Sequence, residues 1–349
     1  MKKYIYSICF SSVLAAFTLF VVLDTFVISR PMEYVHEQIN TSMFSSSRSS
    51  SSRSSSTEDN MTKDTDSSGS ADDMVTTDKR TSHSADTEAV SEEEKNDESI
   101  ASESYSEAEL IGEYQNDQAS IKLYKYYYEN TAVYAADIVV SSSEYIRTAF
   151  ASDYYGKNVT DKTSSIAQQN EAILAINGDY YGARESGYVI RNGVVFRDSS
   201  DGRDLLCVYA DGTMRIVNSD ERSAQELVDE GVWQAFSFGP ALVQNGQVDV
   251  TVNEEVGKAM ASNPRTAVGM IDACHYVFVV SDGRTSDSKG LSLYQLATFM
   301  QGIGVETAYN LDGGGSSTLY FDGEIINYPT TSGRSMKERG VSDIVYIAK

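Results

Sequence analysis

The sequence is poor in the residues that build disulfide frameworks, zinc sites and rigid turns. Its 349 residues include only three cysteines, three histidines and four prolines. His275 is the single histidine in the C-terminal two thirds and no Cys-x-x-Cys pair occurs, which argues against a zinc site and a disulfide-stapled fold. Cys207 and Cys274 lie in apolar, strand-like stretches, so we expect buried free thiols rather than a disulfide.

Positive charge is also scarce. Against 51 acidic residues there are 28 basic ones, the net charge is −23, and no basic stripe is present, which argues against a nucleic-acid partner. More than half of the net charge lies in residues 57–110, where large apolar side chains are almost absent. Such a segment cannot bury enough apolar surface to offset the entropy of ordering it, so we expect it to be disordered.

The N-terminus has a different character. Residues 4–23 form an almost unbroken apolar run preceded by Lys2 and Lys3, and about 20 helical residues span a bilayer core of ~30 Å. No small-x-small cleavage site follows, so we predict an uncleaved anchor at 1–30 rather than a signal peptide. The lysines predict a single-pass protein of the cell membrane with its C-terminal domain extracellular. A disordered Ser-rich and acidic linker is predicted at 31–113.

Residues 114–349 are long enough for one sizeable core. Runs rich in Val, Ile and Tyr alternate with Asn-Gly and Asp-Gly dipeptides, which is the pattern of β-hairpins. Ser223 and Glu226 form a capping box before one helix, and Ser292 caps a second. We predict an α+β domain with a mixed, mostly antiparallel sheet and a few helices. Strands are predicted at 119–126, 131–140, 171–176, 188–196, 205–209, 213–217, 241–243, 247–252, 266–271, 276–281, 307–311, 318–321, 324–327 and 343–348.

Polar clusters follow several of these strands. A guanidinium at the end of a strand can hold an anion with its planar fork, and a carboxylate there can act as a base. Each cluster alone also fits an ordinary turn or surface loop. The clusters contain Asn177 and Asp179, then Arg265, then Asp282 and Arg284, and finally Asn327 and Arg334.

The most specific cluster is Asn-Leu-Asp-Gly-Gly-Gly-Ser-Ser-Thr at 310–318. Three consecutive glycines remove every Cβ where a ligand would approach and allow successive N–H groups to face an anion. No lysine follows them, so the segment is not a P-loop. Its candidate site residues are Asn310, Asp312, Gly313, Gly314, Gly315, Ser316 and Ser317.

In this order, the clusters resemble the phosphodiester glycosidase domain family, whose bacterial members are often labelled exopolysaccharide biosynthesis proteins. The resemblance covers about residues 171–349. It implies hydrolysis of a sugar-1-phosphodiester, which frees the sugar and leaves a phosphomonoester. One departure is Asp179, which stands where many members carry glycine, and this puts a general catalytic role for Asp179 in doubt.

With this chemistry, Arg265 is the expected first phosphate ligand, followed by Arg284 and Arg334, and the N–H groups of residues 313–316 are expected donors. A carboxylate from Asp312 or Asp282, and then Asp179, would activate water or attack the anomeric carbon. The amides Asn177, Asn310 and Asn327 and the hydroxyls Ser316 and Ser317 complete the expected binding set.

No cofactor is required in this scheme. A Ca²⁺ or Mg²⁺ ion held by Asp312, Asp282 and Asn310 stays open as an alternative. The expected partner is a phosphorylated cell-surface glycan or wall polymer, because a long tether would carry the domain away from the membrane. Two other functions stay open: a non-catalytic binder of wall polysaccharide, and a phosphodiesterase that cleaves the P–O bond of a teichoic-type polymer.

Overall fold

A computed structural model describes residues 2–35, 39–44, 107–254 and 262–349. Its helices are α1 (Lys2–Phe26), α2 (Thr163–Gln169), α3 (Ala224–Asp229) and α4 (Leu293–Gly302), with short 3₁₀ turns at Ser143–Tyr145, Ala151–Asp153, Tyr181–Ala183 and Gly314–Ser316. The predicted capping box of α3, Ser223 with Glu226, is present. Ser292 caps α4 as predicted, and its capping box with Gln295 is an additional finding.

The remainder of the described chain is rich in strands, all of whose recorded pairings are antiparallel within four sheets. The strands are β1 (Arg30–Tyr34), β2 (Glu109–Gln115), β3 (Ala119–Tyr128), β4 (Thr131–Val140), β5 (Arg147–Phe150), β6 (Tyr154–Lys157), β7 (Ala172–Asn177), β8 (Val189–Arg191), β9 (Val194–Arg197), β10 (Asp204–Tyr209), β11 (Met214–Asn218), β12 (Val232–Phe236), β13 (Ala241–Gln244), β14 (Gln247–Val248), β15 (Arg265–Asp272), β16 (His275–Ser281), β17 (Thr307–Asn310), β18 (Leu319–Phe321), β19 (Glu324–Ile325) and β20 (Asp343–Ala348).

The large sheet has the order β14-β13-β17-β15-β16-β4-β3-β2. Two five-stranded sheets, β19-β18-β7-β20-β5 and β11-β10-β12-β8-β9, contribute with it to the main core, in which Phe278, Ile176 and Phe236 are buried together. The opposite face of the large sheet is covered by α4, whose Leu296 and Met300 are fully buried. The fold is therefore a sheet-rich α+β domain, as the hairpin pattern predicts.

Residues near the N-terminus dock onto this domain, although they fall in the predicted linker. Strand β1 pairs with β6, and Phe44 is 5% exposed with its ring 5.1 Å from that of Trp233. Strand β2 also begins before residue 114. The rest of the predicted linker, residues 45–106, lies outside the described residues.

The predicted transmembrane anchor is not supported. In the part of the chain that the structure describes, no helix is long and apolar enough to cross a membrane.

Both domain cysteines are free, as predicted; Cys207 is buried and Cys274 is partly exposed. The sequence patterns missed β1, β2, β5, β6, β12 and α2. Helix α2 is short and polar, and its N-cap residue Lys162 makes no side-chain capping bond, so it carries no start signal.

Phe44→Ala tests whether the N-terminal segment is part of the fold. Because Phe44 packs against a fully buried Trp233, its removal should lower the free energy of unfolding by about 3 kcal/mol. Urea unfolding of the full chain measures this. The control, Val252→Ala at a 65% exposed position, should change it by less than about 0.5 kcal/mol. Equal, small effects would mean that residues 39–44 behave as a linker.

Candidate active site

The polar clusters at Arg265, Asp282 and Asp312 lie at one edge of the large sheet because their strands are antiparallel neighbours. Strand β15 begins at Arg265 and is antiparallel to β16 and β17, which end at Ser281 and Asn310. In an antiparallel sheet the start of one strand lies beside the ends of its neighbours. The segments after β16 and β17, which carry Asp282 and Asp312, therefore emerge at the edge where Arg265 lies.

Asn177 joins this edge of the large sheet to the five-stranded sheet β19-β18-β7-β20-β5. It ends β7 and is fully buried, and its Nδ2 donates to the backbone oxygen of Asp312 at 2.6 Å. Its Oδ1 accepts from Thr266 Oγ1 at 2.8 Å and from the Thr318 N–H at 3.3 Å. A buried amide bonded in this way fixes the loop that carries Asp312. Asn177 therefore positions the site rather than facing a ligand.

Asp312 lies at the wall of a cleft of about 320 Å³. Its side chain is 14% exposed, and its Oδ2 accepts from Arg339 Nη2 at 2.7 Å. Arg339 also donates through Nε to Ser316 Oγ at 2.8 Å. The guanidinium thereby fixes one carboxylate oxygen of Asp312 and leaves the aspartate at the surface of the cleft. Other lining residues include Val27, Asn158, Asp179, Tyr180, Gly182 and Ser342.

Three arginines lie around the glycine turn. Arg284 donates to Asn263 Oδ1 at 2.9 Å and to the Thr331 carbonyl at 2.8 Å, and burial followed by the charges of Arg339 and Arg265 lowers its pKa. Around the turn, a Cβ at Gly313 would lie 3.7 Å from Arg265 Cα, and Arg339 Nη2 lies 3.4 Å from the Gly313 carbonyl oxygen. Arg265 is 3% exposed, with its Nε donating to the Leu291 carbonyl at 2.9 Å. Such a cluster favours a bound anion.

Asp282 is the more deeply placed carboxylate, 6% exposed. Its Oδ1 accepts from the Tyr328 N–H at 2.7 Å and from Asn327 Nδ2 at 3.3 Å, and Tyr134 lies beside its Oδ2. Burial raises the pKa of Asp282 despite these donors. Asn327 also donates to the Ser317 carbonyl at 2.9 Å. This network ties the loop after β16 to the turn after β17.

The three glycines are required by close packing. A Cβ at Gly313 would lie 2.9 Å from the Pro264 carbonyl oxygen, and one at Gly314 would lie 2.9 Å from Arg284 Nη2. A Cβ at Gly315 would collide with Thr331 Oγ1. The turn therefore packs closely against Pro264, Arg284 and Thr331, and Gly314 also adopts φ +63°, which favours glycine.

Two of the expected backbone donors are used within the fold. The Gly314 N–H donates to the Pro264 carbonyl and the Ser316 N–H donates to the Gly313 carbonyl. This departs from the expectation that all the N–H groups of residues 313–316 face an anion. The turn therefore has fewer N–H groups available for an anion than the sequence predicts.

Asp179 is part of a buried ion triad. Arg191 Nη2 lies 2.9 Å from Asp179 Oδ1, and Arg191 Nε donates to Asp343 Oδ2 at 2.8 Å. Asp179 also accepts the N–H groups of Tyr181 and Ser237 at 3.1 and 3.0 Å. With its side chain 1% exposed and both oxygens bonded, Asp179 is placed to hold the loop after β7 rather than to attack a substrate.

The triad contains two carboxyl groups and one cation, so a proton on one carboxyl makes it electrically neutral. Burial, which outweighs the opposing charge of Arg191, raises the pKa of Asp343 to about 8, and the charge of Asp179 adds to the rise. Gly178 packs directly against Asp343, and a Cβ there would collide with its carboxyl. The Asp343 carboxyl thus lies against the backbone that presents Asn177 and Asp179.

The remaining expected residues are Arg334, Asn310 and Ser317. Arg334 is exposed and, in the part of the chain that the structure describes, hydrogen-bonds to none of the site side chains. Asn310 is buried and donates to the Gly239 carbonyl at 2.8 Å, with no partner for its Oδ1 in the described residues. Ser317 is fully buried, and its Oγ has no partner among the same residues.

Each of the three proposed ligands of a metal ion hydrogen-bonds to a different partner. Asp312 accepts from Arg339, Asp282 accepts from the Tyr328 N–H, and Asn310 donates to the Gly239 carbonyl. Across residues 2–35, 39–44, 107–254 and 262–349, no group of three or more His, Cys, Asp or Glu side chains is arranged to hold a metal.

Sequence reasoning missed Arg339, Arg191 and Asp343. Arg339 comes five residues after Arg334 in the same loop, and only the fold shows which of the two returns to Asp312. Arg191 and Asp343 lie in otherwise apolar strands. A charged residue in such a strand is a signal for a buried ion pair, and this signal could have been read from the sequence.

Residues 170–348 match the model of the phosphodiester glycosidase family. The chain belongs to this family. The matched region contains Asn177, Arg265, Asp282, Asp312 and Arg339 and is about half of the chain.

Curated relatives of the phosphodiester glycosidase domain are similar over part of their length. The SPbeta prophage-derived uncharacterized protein YomE of Bacillus subtilis is 29% identical over 184 residues, which are 50% of this chain and 28% of YomE. N-acetylglucosamine-1-phosphodiester α-N-acetylglucosaminidase of Mus musculus is 39% identical over 109 residues, 30% of this chain and 21% of the mouse enzyme. The chain thus spans less than a third of either relative.

A solved structure has the same fold. It is the zebrafish N-acetylglucosamine-1-phosphodiester α-N-acetylglucosaminidase catalytic domain, auto-inhibited by its pro-peptide, with a TM-score of 0.53 and 20% identity. The similarity covers 70% of this chain and 88% of the zebrafish chain. At this identity it establishes the phosphodiester glycosidase fold alone.

The buried triad predicts how stability depends on pH. A folded-state pKa of about 8 means that Asp343 binds a proton in the folded protein where the unfolded chain has released it. Stability from this group is full below about pH 4 and is lost as pH rises through about 8. Relative to Asp343→Asn, wild-type unfolding free energy should fall by more than about 1 kcal/mol between pH 5 and pH 9.

Urea unfolding at fixed ionic strength measures this difference. Asp322→Asn, at a surface aspartate whose side chain is 65% exposed, should keep the wild-type pH dependence. Parallel wild-type and Asp343→Asn curves would mean that Asp343 is ionised throughout and that the triad carries a negative charge.

Proposed function

We propose that the chain hydrolyses a sugar-1-phosphodiester bond outside the cytoplasm, in a cell-surface glycan or wall polymer. Water adds to the anomeric carbon, the bond from that carbon to the phosphate oxygen breaks, and the phosphate leaves with the electron pair as a phosphomonoester. The observation that carries this proposal is Asp312 at the cleft wall, tied to Arg339, at the glycine turn against which Arg284 and Arg265 also pack.

The charges suit this leaving group. A phosphodiester remains anionic at neutral pH, and its departure places further negative charge on phosphate oxygen. Guanidiniums fixed before the reaction stabilise that charge without reorganisation. Arg284 and Arg265 are held by the Asn263 side chain and the Leu291 carbonyl, so their positions are set before substrate binds. Such a leaving group needs less protonation than an ordinary glycoside does.

Asp312 supplies the carboxylate that acts at the anomeric carbon or on its attacking water. It is the better candidate because its side chain is 14% exposed at the cleft, whereas Asp282 accepts three donors in a buried network and Asp179 belongs to the ion triad. Arg339 donates to one oxygen of Asp312, Oδ2. We therefore assign the chemistry to Asp312 and its orientation to Arg339.

The extracytoplasmic setting is favoured by the sequence, in which an apolar N-terminal run is followed by a long serine-rich and acidic stretch. The name of the mouse relative describes an enzyme acting on an N-acetylglucosamine-1-phosphodiester. We propose the same bond class here, with a phosphorylated surface polymer as the wider substrate.

Kinetics on a defined sugar-1-phosphodiester test the assignment. Asp312→Asn and Arg339→Gln should each lower kcat/KM by about 10²-fold or more, because one removes the reacting carboxylate and the other its orientation and a cation near the phosphate. The products should be free sugar and a phosphomonoester. Release of both, measured by chromatography, gives the rate.

Arg334→Gln is the matched control for Arg339→Gln, because both arginines lie in the same loop and only Arg339 contacts Asp312. It should change kcat/KM by less than about threefold. A larger loss for Arg334→Gln than for Arg339→Gln would reverse the assignment. Polymer binding without product from the folded wild-type chain would favour a binding module instead.

A further inference from the structure

A second cavity, of about 410 Å³, adjoins the active-site cleft, and Gly182 lines both. We call it the basic cavity. Its walls contain one acidic residue, Glu185, and four cationic ones. The cationic residues are Arg30, Lys157, Arg184 and Arg197. An adjoining space with this charge would attract an anionic part of the same substrate.

Two of these cations are held by groups without net charge. Arg197 donates to the backbone carbonyls of Gly187, Tyr181 and Arg184, and its Nη2 is buried with no partner in the described residues. Arg184 donates to the Ser237 carbonyl at 2.5 Å and lies over the Phe238 ring. A buried donor without a partner destabilises the fold until a ligand accepts from it.

The other two cations are paired at the surface. Arg30 contacts Asp24, and Lys157 contacts Glu185, whose side chain is 80% exposed. Exposed pairs of this kind contribute between about 0 and 1 kcal/mol, so an anion can take over the cations at little cost. Arg30 and Lys157 can therefore contribute their positive charge to a bound anion although each forms an ion pair in the structure.

Aromatic side chains form the rest of the wall. Tyr155 and Tyr181 stack with ring centroids 5.4 Å apart, and Phe196 lies 5.4 Å from Tyr155. Their rings exclude water from one side, which lowers the local dielectric constant and strengthens the attraction between a guanidinium and an anion. The combination suits a ligand that carries both charge and apolar surface.

We propose that the basic cavity binds a second phosphodiester group of a repeating, phosphodiester-linked polymer whose neighbouring link is cleaved beside Asp312. The inference rests on the proposed function, because it assumes that the first phosphodiester occupies the cleft. The substrate class is then a polyanion with phosphate in every repeat, rather than a neutral glycan with a single phosphorylated sugar.

Equilibrium binding tests this without relying on turnover. The full chain carrying Asp312→Asn is titrated by calorimetry with two probes: a sugar oligomer joined by three 1-phosphodiester bonds, and the matching single 1-phosphodiester. We expect the oligomer to bind about tenfold more tightly, with an advantage that shrinks at high salt. Adding Arg30→Gln and Lys157→Gln should reduce the advantage to about twofold or less.

These two positions are chosen because Arg197 holds three backbone carbonyls and its loss would perturb the fold. Lys122→Gln, an exposed lysine on β3, is the matched control and should preserve the tenfold ratio. Equal affinities of the two probes, or the same loss in the control, would overturn the inference. So would binding of phosphatidylglycerol vesicles that depends on Arg30 and Lys157 while the oligomer shows no advantage.

Activity separates this inference from the proposed function. A wild-type chain that cleaves neither probe contradicts the proposed function. The ratio of the two affinities, measured by calorimetry, does not depend on that result. A chain that cleaves the single diester but binds both probes equally leaves the proposed function intact and overturns the second phosphodiester site.

Discussion

The site depends on the hydrogen bonds of one buried amide. Asn177 ends β7 in the five-stranded sheet β19-β18-β7-β20-β5. Its side chain nevertheless hydrogen-bonds to the Thr266 hydroxyl in the large sheet and to the Asp312 carbonyl in the loop after β17. Asp312 can face the cleft at a defined distance from the arginines because its backbone is fixed at this point.

Two groups of charges surround that junction and differ in their balance. The triad of Arg191 with Asp179 and Asp343 is neutral when one carboxyl carries a proton, so it supports the backbone at Gly178 without a net field. The cluster of Arg265, Arg284 and Arg339 contains the ion pair of Arg339 with Asp312. It places three guanidinium-bearing residues around one glycine turn of a highly acidic protein.

The hairpins, the two capped helices and the order of the motifs could be predicted from sequence, because each depends on local turn and capping chemistry. The roles of the charged residues could not. Asp179 and Asp312 look alike as carboxylates after strands, and Arg334 and Arg339 share a loop. Partners that are distant in the sequence distinguish the members of each pair. Asp179 forms a buried ion pair with Arg191, whereas Asp312 forms its ion pair with Arg339 at the cleft. The docked segment around Phe44 was missed because one aromatic residue in a serine-rich stretch forms no apolar pattern that would indicate burial.

The central claim is that the bond broken lies between the anomeric carbon and the phosphate oxygen. Hydrolysis of a sugar-1-phosphodiester in ¹⁸O-labelled water, followed by mass spectrometry of both products, tests it directly. The account predicts label in the released sugar and none in the phosphomonoester. Label in the phosphate would mean that water attacks phosphorus, and would contradict the role given to Asp312.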